Sequence, residues 1–154
     1  MLIDLEDTGS IIHWSDYERR VIKSLENDPG YEEYREELLR LIPRLQDLGM
    51  AVSKWVFDKD FHGKWSLKKV YPVLVPGADA DAIHEGGGVI SYDDLDGVAK
   101  GDEAAMMLLE YLRPATTSER RAEIRRQLLQ YCKLDTWATV EVLRVLRDHC
   151  ALGN

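Results

Sequence analysis

Tyr131-Cys132-Lys133-Leu134-Asp135 lies inside the longest helical pattern of the chain. Leu128, Tyr131, Asp135, Ala138, Val142 and Leu146 recur at helical spacings, so they share one stripe. That stripe is apolar except at Asp135. A carboxylate facing a core is costly unless it is paired, hydrogen-bonded or bound to a metal. Two readings follow. Asp135 either stands at the rim of the core, hydrogen-bonded to a backbone amide or an Arg, or it ligates a metal with a tyrosine one turn before it.

The pattern around that helix is mainly α. Ser10-Ile11-Ile12-His13-Trp14 is a short β-prone run after Thr8-Gly9 and reads as the one clear strand. Ser15-Asp16-Tyr17-Glu18 then opens a helix to about Leu25. Asn27-Asp28-Pro29-Gly30 breaks it. A second helix is expected from about Tyr31 to Gln46, kinked or divided at Pro43. Asp47 to Phe57 is ambiguous between helix and strand. Ser66 suits the start of a short helix to about Val73. Residues 77–90, rich in Gly, Ala, Asp and His, read as a flexible insertion, and Tyr92 to Gly97 as a turn. Asp102 to Leu112 is helical up to Arg113-Pro114. Thr116-x-x-Glu119 has the spacing of a capping box for the last helix, which runs to about His149. The result is one domain over residues 1–154, with one strand and five or six helices.

Composition narrows the class. The length of 154 residues allows a real core. No apolar run is long enough to span a membrane, and the N-terminus lacks the pattern of a signal peptide. Cys132 and Cys150 lie on one helical pattern, too far apart to pair, so a reduced, cytoplasmic protein is expected. The net charge of −8 argues against a simple polyanion-coating protein. It leaves room for an acidic metal site, because bound divalent cations offset such charge. Basic residues cluster at Arg19, Arg20 and Lys23, at Lys64, Lys68 and Lys69, and at Arg120, Arg121, Arg125 and Arg126.

Glu18 is the second acid of interest. Val21, Ile22 and Leu25 follow it at i+3, i+4 and i+7, so it points along an apolar stripe. Ser15 and Glu18 also have the spacing of a capping box, which would explain both residues. Asp47 reads as a helix-terminal or turn carboxylate. Lys68 and Lys69, beside Trp65, open a short helix where a phosphate could dock. Asp93, Asp94 and Asp96 lack the remainder of a calcium loop. The four histidines have no zinc-ligand spacing. The glycines at 86–88 lack the residues that complete a phosphate loop.

Tyr131 and Asp135, as Y-x-x-x-D on a C-terminal helix, resemble the third motif of the DEDD-type 3′–5′ exonucleases in their tyrosine-bearing subgroup. Ile11 to Glu18 resembles their second motif, a strand running into a helix that carries an acid. Asp47-Leu48 and Ser66-Leu67-Lys68-Lys69-Val70 resemble further stretches. The segments Phe61 to Pro76, Ser91 to Leu95 and Tyr131 to Thr136 are similar to an uncharacterised bacterial domain family often joined to a RecB-like nuclease region. The resemblance covers roughly residues 9–147.

It implies an α/β, ribonuclease H-like fold and a two-metal site for Mg²⁺ or Mn²⁺. Asp135 would be a direct ligand, Glu18 a second ligand, and Tyr131 would orient the attacking water. Lys68, Lys69 and Trp65 would be contacts to DNA or RNA. The family's usual second-motif acid is Asp, whereas this chain has Glu18. The leading D-x-E should lie far upstream, whereas Asp4-Leu5-Glu6 begins only 14 residues before Glu18. That pair therefore reads as a chance match, and the chain as an N-terminally truncated domain, inactive alone. The open strand edge would then be covered in a homo-oligomer or by a partner chain. The alternative is a non-catalytic helical interaction domain in which Asp135 and Glu18 are structural.

Overall fold

The computed structural model describes residues 8–75 and 101–152. Asp4, Glu6, the expected insertion at 77–90 and the Tyr92–Gly97 turn lie outside the described residues. The chain divides into two compact units, one ending at Ser66 and the other beginning at Leu67. The fold is mainly helical.

In the first unit, strand β1 (Ile11–His13) leads into helix α1 (Tyr17–Glu26). Asp28 stops the chain and caps a 3₁₀ turn, its carboxylate accepting from the Gly30 amide at 2.8 Å. Helix α2 covers Arg35–Leu41 and buries Leu38 and Leu41. The expected helix to Gln46 ends here. Pro43 has no N–H to donate and cannot continue an α-helix. The chain therefore makes a 3₁₀ turn over Ile42–Arg44 and emerges extended as β2 (Leu45–Asp47).

The strand count must be corrected accordingly, since β2 pairs parallel to β1 with Ile11 opposite Leu45 and His13 opposite Asp47. Helix α3 (Leu48–Trp55) starts directly after β2, capped by the Asp47 carboxylate on the Met50 amide at 2.8 Å. The ambiguous stretch from Asp47 is thus a strand end followed by a helix. Buried Leu38, Leu41, Leu45, Leu48, Val52 and Phe61 supply the apolar interior of this unit.

The second unit begins with α4 (Leu67–Leu74), which buries Leu67, Val70 and Tyr71. Helix α5 covers Gly101–Leu112 and helix α6 covers Ser118–Leu152. Both α4 and α5 pack on α6. Met107 of α5 and Ile124 of α6 form a buried pair, flanked by Ala104, Tyr111, Leu128 and Tyr131. The cap of α6 is one residue later than the sequence suggested. The Thr117 hydroxyl, not that of Thr116, accepts from the Arg120 amide at 3.2 Å, while the Thr116 hydroxyl donates to the Glu110 carbonyl. The Arg120 guanidinium also grips the Glu110 carboxylate at 2.8 Å, joining the end of α5 to the start of α6. Among the described residues, no helix is long and apolar enough to cross a membrane.

Gly49 marks the tightest backbone approach in the first unit. A Cβ there would lie 2.0 Å from the Trp14 carbonyl oxygen, just past the end of β1. Only a hydrogen fits in that gap, and a backbone atom yields little. Gly49→Ala should therefore destabilise the protein by at least roughly 1–3 kcal/mol, the usual cost of overpacking. Chemical denaturation would read this directly, and an unchanged midpoint would mean that β1 and α3 are not packed this closely.

Candidate functional site

The candidate residues are carried by both units. In the first, Glu18 stands in the opening turn of α1. The capping box expected from Ser15 and Glu18 does not form. Asp16 occupies the N-cap position without a side-chain cap, and the Ser15 hydroxyl accepts only a long contact of 3.4 Å from the Tyr17 amide. Nor does Glu18 follow a buried stripe. No residue of α1 is fully buried, and Val21 is exposed.

Glu18 instead turns back towards His13, with Oε2 3.6 Å from Nδ1. His13 is buried at the end of β1. Its Nδ1 is in hydrogen-bond range of the Ser15 carbonyl. A carbonyl can only accept, so that nitrogen carries the proton. The pairing follows from sequence-local geometry, as the strand ends at His13 and the helix begins four residues later.

A cleft of about 690 Å³ lies beside β2, lined by Asp16, Arg19, Leu39, Ile42, Pro43, Leu45, Gln46, Asp47 and Met50. Two of its charged residues are already engaged. Asp47 caps α3, and the Arg19 guanidinium donates to the Leu45 carbonyl at 3.1 Å while lying 3.8 Å from Asp16. Glu18 does not line it. Trp65, the third suggested nucleic-acid contact, closes this unit and accepts at its carbonyl from the Trp14 indole at 3.1 Å.

The second unit brings together Tyr131, Asp135 and Lys68. Tyr131 and Asp135 stand one turn apart on α6, and the phenol hydrogen-bonds to the carboxylate. Burial pushes the Tyr131 hydroxyl well above its ordinary value, and the negative charge and hydrogen bond of Asp135 push it further. Asp102, in the first turn of α5, adds to the same effect. Along the sequence Asp102 marks only a helix start, and no spacing relates it to Tyr131. The Lys68 ammonium lies 5.0 Å from the centre of the Tyr131 ring, a cation–π contact. Lys69 is exposed.

Helix register explains why Asp135 is tolerated. Leu134, not Asp135, is the residue buried at that turn, followed by Ala138 and Val142. Asp135 is half-buried at the margin of the stripe, next to the phenol that satisfies it. Asp135 thus stands at the rim of the stripe, with Tyr131 beside it.

A hard divalent cation wants several oxygen ligands. Around Tyr131 the second unit provides the Asp135 and Asp102 carboxylates with a lysine close by. Among the described residues, no group of three or more His, Cys, Asp and Glu is placed to hold a metal ion. The carboxylates that the described residues place there are too few for a two-ion centre.

Residues 1–66 match the family model of a domain of unknown function (DUF2779). The matched stretch ends where the first compact unit ends. No curated protein matches the chain, and no solved structure matches it.

The phenol–carboxylate pair can be tested in alkaline solution. Because the Tyr131 value is raised above 10.0 by folding, its neutral hydroxyl contributes stability below about pH 10 that is lost as pH rises through the folded value. Asp135→Asn removes the charge and so lowers the Tyr131 midpoint. Absorbance titration of phenolate, with Tyr131→Phe to assign the signal, would show that shift. Identical curves for wild type and Asp135→Asn would mean the two groups do not interact.

Proposed function

We propose that this chain is an exonuclease-like domain acting on nucleic acid, with Asp135 as one carboxylate of a Mg²⁺- or Mn²⁺-dependent centre and Tyr131 beside it as the residue that orients water. Further carboxylates must join Asp135 before phosphodiester hydrolysis can occur, so the isolated chain is not expected to cleave. The observation that carries this reading is the Tyr131 hydroxyl bonded to Asp135 one turn away on α6. A hydroxyl whose direction is fixed by a carboxylate can position a water next to that carboxylate. Glu18 is the second acid the resemblance uses. It is carried by the first unit, and the reading is tested on Asp135.

A second reading, a helical interaction domain, is favoured by α5. Met106, Leu109 and Leu112 recur every three residues along it and are all exposed. An apolar stripe on a helix surface suits a partner helix.

The two readings part on one measurement. Mn²⁺ binding, followed by the paramagnetic resonance of the free ion, should be weak in wild type and lost in Asp135→Asn. A 3′-labelled single strand should remain largely intact. If Asp135→Asn binds Mn²⁺ as wild type does, the metal role of Asp135 is wrong and the interaction reading is preferred. Vigorous, Asp135-dependent release of mononucleotides would instead overturn the incompleteness of the centre.

A further inference from the structure

Trp55 and Phe57 are the two most exposed aromatic side chains among the described residues, at 76% and 89%. They stand two positions apart where α3 gives way to extended chain. The Val56 amide closes α3 on the Val52 carbonyl at 2.9 Å. Val56 then adopts φ −112, ψ 123, and Asp58 φ −138, ψ 139, both extended. Side chains alternate sides along extended backbone. Val56 and Asp58 are half-buried, so Phe57 points outward, and Trp55 two positions before it is exposed as well.

The fold does not need these rings. Its anchor in this loop is Phe61, 1% exposed, held by a 3₁₀ turn that the Asp58 carboxylate caps on the Asp60 amide at 2.9 Å. Two large rings presented to solvent on a braced backbone mark an interaction surface. At such exposure neither ring has pocket walls, so a partner must bring flat faces of its own.

Charge selects among flat partners. Between Lys54 and Trp65 the first unit carries three lysines against two aspartates, in a chain of net charge −8. The Lys54 ammonium lies 4.7 Å from the Trp55 ring centre, which places a cation at the edge of the platform. Alternating aromatic rings and lysines are the chemistry that holds single-stranded nucleic acid, bases on rings and phosphates on ammonium groups. We propose that Trp55 and Phe57 form a stacking platform for consecutive bases of single-stranded nucleic acid. The proposal rests on the reading of nucleic acid as the substrate class, and its site is separate from Tyr131 and Asp135.

The test uses the full chain, a fluorescent oligothymidylate and anisotropy in low-salt, metal-free buffer. Each ring-to-alanine change should weaken binding roughly tenfold, and the double variant more. Trp55→Phe should keep most of the affinity. The salt dependence of binding should be the same in the double variant, because stacking releases no counterions. Both side chains are exposed, so the circular dichroism spectrum should not change. Wild-type affinity in the double variant, or no binding by wild type, would overturn the platform. So would self-association that the double variant abolishes while oligonucleotide binding stays the same, because the rings would then serve a protein contact. Loss of the platform with Asp135-dependent Mn²⁺ binding intact would sink this proposal alone, and the reverse result would sink the exonuclease reading alone.

Discussion

The first unit depends on a parallel ladder of three residue pairs, Ile11 with Leu45 through His13 with Asp47. Parallel strands cannot be joined by a tight turn, so a crossover must carry the chain back to its starting end. Helices α1 and α2 make that crossover. Parallel pairing also brings the C-terminal ends of both strands to the same side. The segments that leave them, towards α1 and into α3, therefore start side by side. The close contacts of the unit collect there: Gly49 against the Trp14 carbonyl, Arg19 on the Leu45 carbonyl, Asp47 on the Met50 amide, and Glu18 near His13. The ladder is short, and these contacts set its register as much as its own hydrogen bonds do.

The second unit is organised differently. A single long helix, α6, offers the surface on which α4 and α5 pack. The burial of Ile124, Leu134, Ala138 and Val142 fixes its rotation about its axis. That rotation leaves Asp135 at the margin. A carboxylate fully in the stripe would need a strong counter-charge. At the margin the carboxylate is half-buried, with the Tyr131 phenol one turn before it.

Helix existence was legible from the sequence because periodicity reports it directly. The spans α4, α5 and α6 lie close to the patterns of Ser66 to Val73, Asp102 to Leu112 and the last helical region. The strand β2 was not legible. Leu41, Ile42 and Leu45 continue the helical spacing of Leu38, and only Pro43 argued for a break. The proline won because the missing amide acts on the backbone whatever the apolar pattern prefers. Caps were displaced by small amounts for a related reason. Thr116 and Thr117, or Ser15 and Asp16, are adjacent candidates for one N-cap position, and the turn geometry decides between them. Of the site, the Tyr131–Asp135 pair was visible because both residues lie on one helix. Asp102 and the Lys68 ring contact were invisible, since each comes from another helix and depends on packing.

The match to a domain of unknown function covers the first unit and stops before α4. It therefore includes Glu18, Trp55, Phe57 and Trp65 but none of Lys68, Tyr131 and Asp135. The two lines of functional reasoning stand on separate physical ground. One is a carboxylate and a phenol held by helix register in the second unit. The other is a pair of rings that the first unit exposes without structural need. Metal-assisted hydrolysis and base stacking make different demands, oxygen donors in the first case and apolar faces with nearby cations in the second. A chain with a net charge of −8 would repel a polyanion if its charge were spread evenly. Binding requires that positive charge be concentrated where the strand lies, and the first unit sets the Lys54 ammonium against the exposed Trp55 ring. In the proposed platform the cation and the apolar face come from adjacent positions, Lys54 and Trp55, so the local charge does not depend on the balance of the whole chain.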